Sequence, residues 1–255
     1  MRSAAARTLH GLVAVMVLVG VGVEVVTAFT DGPGVAGTMA ERLTRLFSYF
    51  TIQSNLLVGG TSALLALDPQ RDGRVFRVLR LDGLLCIGVT GIVYHAVLAG
   101  LQELTPSGAL ANLLLHTTVA VVAVVAWLVV GPRPRADRAT VLWSVAYPVA
   151  WLVWTFGRGA AVGWYPYPFL DVGEIGGTRA VVNALVVAVV FLLLAGVVAF
   201  VEHRLPPTPG AVRDGSGPVD RVGPADRGGA ADPDGPAGDR GGAADPDGSV
   251  DAGAR

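Results

Sequence analysis

The 255-residue chain contains no lysine, and all 19 of its basic residues are arginine. Together with an excess of Ala, Val and Gly, this reads as genome-level base composition rather than function. A single cysteine, Cys86, sits in an apolar run. One cysteine excludes an intramolecular disulfide and any zinc site built from clustered thiolates. Charge is scarce, at 15% of residues against about 25% for a soluble globule. Basic and acidic residues nearly cancel, 19 against 20, so no bulk attraction to nucleic acid is expected. No glycine-rich phosphate loop follows a strand pattern, so a nucleotide cofactor is not expected, and no other cofactor is implied.

What remains is apolar. Hydrophobic residues make up 52% of the chain and mean hydropathy is +0.56. Of the 39 Arg, Asp and Glu residues, 14 fall in the last 50 positions. A body of about 205 residues is therefore poor in charge, which argues against a soluble enzyme. Crossing a bilayer takes about 20 apolar residues. Six runs qualify, at about 9–29, 43–67, 75–101, 109–130, 139–157 and 180–202. The predicted fold is all-α, a polytopic membrane protein whose six transmembrane helices occupy residues 1–205. Pro148 interrupts the fifth run, which is tolerable where neighbours satisfy the freed carbonyl. The first run reads as a retained helix rather than a signal peptide. It is longer than an ordinary signal core, Glu24 interrupts its end, and no Ala-x-Ala site closes it.

Arginine asymmetry sets the expected orientation. Arg2 and Arg7, the second-to-third loop (Arg71, Arg74, Arg77, Arg80), the fourth-to-fifth loop (Arg133, Arg135, Arg138) and Arg204 and Arg213 lie on one side. The other side has Arg42, Arg45, Arg158 and Arg179. Both termini are predicted to be cytoplasmic, in a cell inner (plasma) membrane. From Pro206 the chain has no aromatic residue and contains RGGAADPDG twice, at 227–235 and 240–248. With no apolar face to offset ordering entropy, residues 206–255 are predicted to be a disordered cytoplasmic tail.

Polar residues are costly inside a bilayer and tend to face the bundle interior or a cavity. Thr51 is expected about 12 Å into the second span, His116 about 10 Å into the fourth and His95 about 9 Å from the end of the third. Ser48, Thr51, Ser54 and Asn55 fall at three- and four-residue steps, on one helical face, with Gln53 on the flank. Glu24, Thr51, Asn55, His95, His116, Arg158 and Asn183 all project to the outer third of the bilayer. The inner halves of the spans read as almost purely aliphatic. Shared depth on separate helices implies a shared polar pocket near the external face. Each residue also has a plainer reading. Ser, Thr, Asn and His often bond between helices, Glu24 could snorkel, and Arg158 beside tryptophans could be an interfacial anchor. The loop WYPYPFLDVGEIGG reads as an aromatic belt, stiffened by Pro166 and Pro168 into a lid over the pocket mouth.

The runs RLFSYFTIQSNLLV, NLLLHTT, WSVAYPVAWLVW and YPYPFLDV resemble the bacterial Pr6Pr family of six-span membrane proteins, over about residues 8–203. That family is similar in turn to the androgen-induced-gene class of membrane hydrolases. These use a Thr and a His within the bilayer to cleave fatty-acid esters of hydroxy fatty acids. The resemblance implies Thr51 as nucleophile and His116 as base. Relatives often carry Pro near position 120 and Asp near 126, where this chain has Ala120 and Ala126. A Thr hydroxyl is a weak nucleophile until a base takes its proton, and a neutral imidazole is the usual base near pH 7. In supporting roles, Asn55 or Gln53 could stabilise an oxyanion, Arg158 could hold a carboxylate, and His95 or Glu24 could orient the base. The expected partners are the lipid bilayer and a lipid ester substrate.

Two other readings stand beside hydrolysis. The same pocket could bind or transport a small amphipathic solute, although no internal repeat relates the two halves as in many transporters. His95, His116 and Glu24 could form a metal site, although their spacing lacks a helical i, i+4 signature.

Overall fold

The structure, a computed structural model, describes residues 2–207 apart from 102 and 134. The tail beyond, with both copies of its repeat, lies outside the described residues. Among the described residues there is no strand, and six helical segments are long and apolar enough to cross a membrane. These are Ser3–Thr30, Phe50–Leu67, Arg74–Leu98, Pro106–Val130, Arg138–Val162 and Gly177–Arg204. The chain is a multi-pass membrane protein. Its outward-facing side chains agree with that, since Leu18, Val153 and Leu193 are 73%, 69% and 65% exposed. A soluble bundle would carry polar residues at such positions.

Helix α1 (Arg2–Thr30) packs against α3 (Phe50–Leu67), and α3 against α4 (Arg74–Val93). The fourth segment is α5 (Pro106–Leu113), a π-helical turn over Leu114–Thr118, and α6 (Val119–Val130). It lies against both α1 and α4. A second π-helical turn, Tyr94–Leu98, extends α4. The fifth segment is α7 (Arg138–Trp143) and α8 (Ala146–Val162), and the sixth is α10 (Gly177–Arg204), preceded by the single turn α9 (Val172–Ile175). Among the described residues three buried apolar clusters fill the bundle, one around Val13, Val58 and Leu115, a second around Leu85, Trp127 and Phe191, and a third around Trp151, Tyr167 and Leu170.

Two expected spans differ in outline. The second was placed from residue 43, but residues Met39–Ser48 form a separate amphipathic helix, α2, and α3 starts at Phe50. Tyr49 between them is extended, with ψ at 130°, which breaks the hydrogen-bond ladder. The charged side of α2 is held by ion pairs, Arg42 to Asp31 and Arg45 to Glu41. Thr51 is thus the second residue of its helix, not the eighth. The fifth span is expected to end at residue 157, but α8 runs on to Val162 and stops at Gly163, which is left-handed, while Arg158 within it pairs with Glu41 at 2.5 Å. The α7–α8 break places Pro148 in the first turn of α8, where its missing N–H has no helical partner to lose.

The opposite end of the bundle is less aliphatic than the sequence reading held. His10, Ser62, Arg80, Asp82, Arg135 and Glu202 are all buried there. Glu202 accepts hydrogen bonds from Trp127 Nε1 (3.1 Å) and from the backbone N–H groups of Arg135 and Ala136 (2.8 Å each). His10 Nε2 lies 3.1 Å from the Gly131 carbonyl oxygen, and Arg80 reaches Ser62 at 3.4 Å. The arginines of this end were read only as a topology signal, yet Arg80 and Arg135 pack inside the bundle.

Candidate active site

At the other end, two helical segments and one loop meet at the hydroxyl of Thr51. Its Oγ1 lies 3.2 Å from His116 Nε2 and 3.2 Å from the Tyr167 hydroxyl. The Thr51 backbone N–H donates to the same Tyr167 oxygen at 3.1 Å. Thr51 is free to do so because it sits in the first turn of α3, where amide protons have no partner in the helix. The Tyr49 break therefore supplies a donor as well as a bend.

His116 is oriented from three sides. Its Nδ1 lies 3.2 Å from the Asn112 carbonyl oxygen. A carbonyl can only accept, so the Nδ1 atom carries the ring proton and Nε2 presents a lone pair to Thr51. The ring of Tyr94 stacks on the imidazole, with centroids 4.2 Å apart. Asn112 Nδ2 donates to the Tyr94 hydroxyl at 2.5 Å, which fixes the stack. Both π-helical turns contribute, one with Tyr94 and the other with His116. Such turns recur at functional sites because they re-aim side chains within a helix. Gly91 allows the two segments to close, since a Cβ there would lie 3.3 Å from the His116 carbonyl oxygen.

The tautomer fixes the remaining protons. Thr51 gives its hydroxyl proton to Nε2, so the Tyr167 hydroxyl gives its own to Thr51 Oγ1. The chain of donors then runs from Thr51 N–H to Tyr167, to Thr51 Oγ1, to His116 and to the Asn112 carbonyl. Tyr167 is buried, and burial pushes its phenol up to about 12, so it stays protonated near neutrality.

Thr51 and Tyr167 open onto a cavity of about 130 Å³, lined also by Phe50, Trp151, Leu170 and Phe191. Its lining is overwhelmingly apolar, in contrast to the polar pocket expected from the sequence. His116 does not line it and sits behind Thr51.

The other predicted site residues are distributed as follows. Asn55 joins the cluster, but both of its amide protons are committed, to the carbonyls of Thr51 (2.8 Å) and Leu115 (2.9 Å). Gln53 lies off the cluster. Its Nε2 donates to the Phe47 carbonyl and its Oε1 accepts from Tyr147. His95 is exposed on the bundle surface, 3.0 Å from Thr117 Oγ1, and does not touch His116. Glu24 is half-buried, within electrostatic reach of Arg42 and Tyr49, and makes no hydrogen bond among the described residues. Arg158 pairs with Glu41 and lies over the Trp164 ring, with Arg45 on that ring as well, so its charge is already matched. Asn183 donates to the Phe169 carbonyl at 2.8 Å. Among the described residues, no three His, Cys, Asp or Glu side chains come together as a metal site would require, so the His95, His116 and Glu24 set does not form.

Tyr167 is the member that sequence reasoning missed. It was counted in an aromatic belt, but the loop turns it inward against Thr51. Its neighbour Tyr165 packs onto Gly159, where a Cβ would fall 2.1 Å from the ring.

No curated protein and no solved structure matches the chain. Residues 90–200 match the family described as FAR-17a/AIG1-like protein. That stretch holds His95, His116, Arg158, Tyr167 and Asn183, while Thr51, Gln53, Asn55 and Glu24 precede it. Over those residues the chain is similar to the androgen-induced-gene class that its motifs resemble.

Proposed function

We propose that the protein is a membrane-embedded hydrolase of lipid or fatty-acid esters, with Thr51 as nucleophile and His116 as general base. The observation that carries this reading is the Thr51–His116 contact, with the imidazole held in the tautomer that accepts. The apolar cavity suits an acyl chain, and its Thr51 wall puts the hydroxyl where the carboxyl end of that chain would lie. The similarity of residues 90–200 to the FAR-17a/AIG1-like family adds to it, and membership of the related Pr6Pr family fits the same motifs. The arginine distribution supports an orientation with this end of the bundle on the external side and both termini cytoplasmic, in a plasma membrane on this reading.

The reaction runs in two halves. Thr51 Oγ1 bonds to the ester carbonyl carbon while its proton passes to His116 Nε2, and the carbonyl π pair becomes an oxyanion. Collapse breaks the bond to the alcohol oxygen, which leaves with the proton from His116. Water then attacks the Thr51 acyl ester and gives a proton to His116. The second collapse frees the acid, and that proton returns to Thr51. Ester and water become acid and alcohol, with the enzyme restored.

Hydrolysis of a short-chain p-nitrophenyl ester and a long-chain ester by protein in detergent tests the reading. Thr51→Ala is expected to abolish turnover, and His116→Ala to lower kcat by about 10²–10⁴. Wild-type rates in Thr51→Ala would leave the cavity as a binding site for an amphipathic solute instead.

A further inference from the structure

An acyl transfer of this kind needs a hydrogen-bond donor for the oxyanion, and the cavity wall is short of free protons. Thr90 Oγ1 lies 2.9 Å from Ser54 Oγ. Ser54 spends its single proton on the Thr51 carbonyl at 3.1 Å, so Thr90 must donate to Ser54. Trp151 Nε1 donates to the Ser48 carbonyl at 3.0 Å. Asn55 and Gln53 are committed as described, and neither lines the cavity. Two backbone donors of the first turn of α3, the N–H groups of Phe50 and Thr51, are both directed at the Tyr167 oxygen.

We propose that the Tyr167 hydroxyl is the oxyanion donor, a catalytic residue that rests on the Thr51–His116 reading above. In the resting state its proton goes to Thr51 Oγ1. Once Oγ1 has bonded to carbon, it has lost the charge density that attracted this proton. The new oxyanion sits on that same carbon, facing the cavity that Tyr167 also lines. A small rotation of the O–H moves the donor from one oxygen to the other. The Thr51 N–H continues to donate to the phenol oxygen, which strengthens it as a donor. No proton leaves Tyr167 at any step. The phenol is pinned, because Tyr167 stacks on Phe169 at 5.3 Å and packs edge-on to Tyr49 at 5.6 Å.

Removing one oxyanion donor typically lowers kcat by about 10²–10³. Tyr167→Phe is expected to lose that much in kcat with KM within about threefold. Affinity for a trifluoromethyl ketone, which adds to Thr51 as an oxyanion, is compared with the matched methyl ketone, which does not add. The preference for the fluorinated ketone should fall about 100-fold in Tyr167→Phe. A merely structural role would weaken both ketones equally, and that result would overturn the proposal. Replacing Tyr167 with 4-aminophenylalanine, which keeps a donor, or with 4-fluorophenylalanine, which does not, guards against a folding defect. Both fill the same space, so the ratio of their kcat values reports the donor alone, and a ratio near one also overturns it. Thr51→Ala separates the two levels. If it keeps wild-type kcat, the hydrolase reading fails. If it is inactive while the ketone preference survives in Tyr167→Phe, only the role of Tyr167 fails.

Discussion

The side chain of Asn55 ties helix α3 to Leu115, next to His116. One amide proton goes to the Leu115 carbonyl at 2.9 Å and the other to the Thr51 carbonyl at 2.8 Å. The residue fully buried at this helix contact thus fixes the spacing between hydroxyl and imidazole. Asn55→Leu is expected to lower stability by about 1–3 kcal/mol, since it removes two buried hydrogen bonds, each contributing about 0.5–1.5 kcal/mol net. It should also lower kcat more than KM. Thermal unfolding in detergent, read beside ester hydrolysis, checks both.

Gly159 governs how the aromatic loop seats. A methyl group at Gly159 would collide with the Tyr165 ring, which would have to leave its place. Overpacking of this kind costs about 1–3 kcal/mol. Because Tyr165 and Tyr167 share the loop, Gly159→Ala should reduce activity beyond its effect on stability. Gly157→Ala, where a Cβ meets nothing within 4 Å, is the matched control and should behave as wild type.

The buried charges at the far end should respond in opposite ways. Glu202 satisfies an indole N–H and two backbone N–H groups, so Glu202→Leu leaves all three donors without their acceptor. A loss of about 3–5 kcal/mol is expected, as when one member of a buried polar group is removed. Arg80 is buried with only a 3.4 Å contact to Ser62, and its Nη2 has no partner. Arg80→Met removes a charge that the bundle barely compensates, and should leave the melting temperature unchanged or raised. A lowered melting temperature for Arg80→Met would contradict this.

Stability should also depend on pH through two groups outside the spans. The Arg77 guanidinium, bonded to Asp72 at 2.7 and 2.8 Å, pulls the Asp72 carboxyl down to about 2. A depressed folded value gives stability that is present above the unfolded value near 4 and is lost as pH falls through about 2. Asp72 is 38% exposed, so solvent screening keeps the effect small. The difference in melting temperature between wild type and Asp72→Asn should shrink from pH 4 to pH 2. Tyr167 has the opposite sign. Burial raises its folded value to about 12, so its contribution is present below pH 10 and is lost as pH rises through about 12. The difference in melting temperature between wild type and Tyr167→Phe should shrink as pH rises from about 10 to about 12.

The six spans were legible because long apolar runs stand out in the sequence, and Thr51 and His116 showed as polar interruptions at similar depth, but it was the family resemblance that singled them out from the other polar residues at that depth. The break at Tyr49 was not legible. Hydropathy is continuous from Leu43 to Leu67 apart from scattered polar residues, and nothing in composition reports a ψ angle. Tyr167 was hidden for another reason. An aromatic residue near a membrane interface has a sufficient explanation as a belt residue, and only the loop's path turns it inward. The buried Arg80 was hidden by its neighbours, since a run of arginines at a helix end reads as topology. Supporting roles suggested for His95, Glu24 and Arg158 came from shared depth alone. Depth ignores rotation about the helix axis, and rotation is what sends His95 to the surface and Arg158 to Glu41.

The most direct test is mass spectrometry of the intact protein in detergent after reaction with a fluorophosphonate, with the modified peptide sequenced. The account predicts one adduct on wild type, located at Thr51, absent from Thr51→Ala and formed far more slowly in His116→Ala. A well-folded wild type that takes up no label, or an adduct that persists in Thr51→Ala, would contradict it.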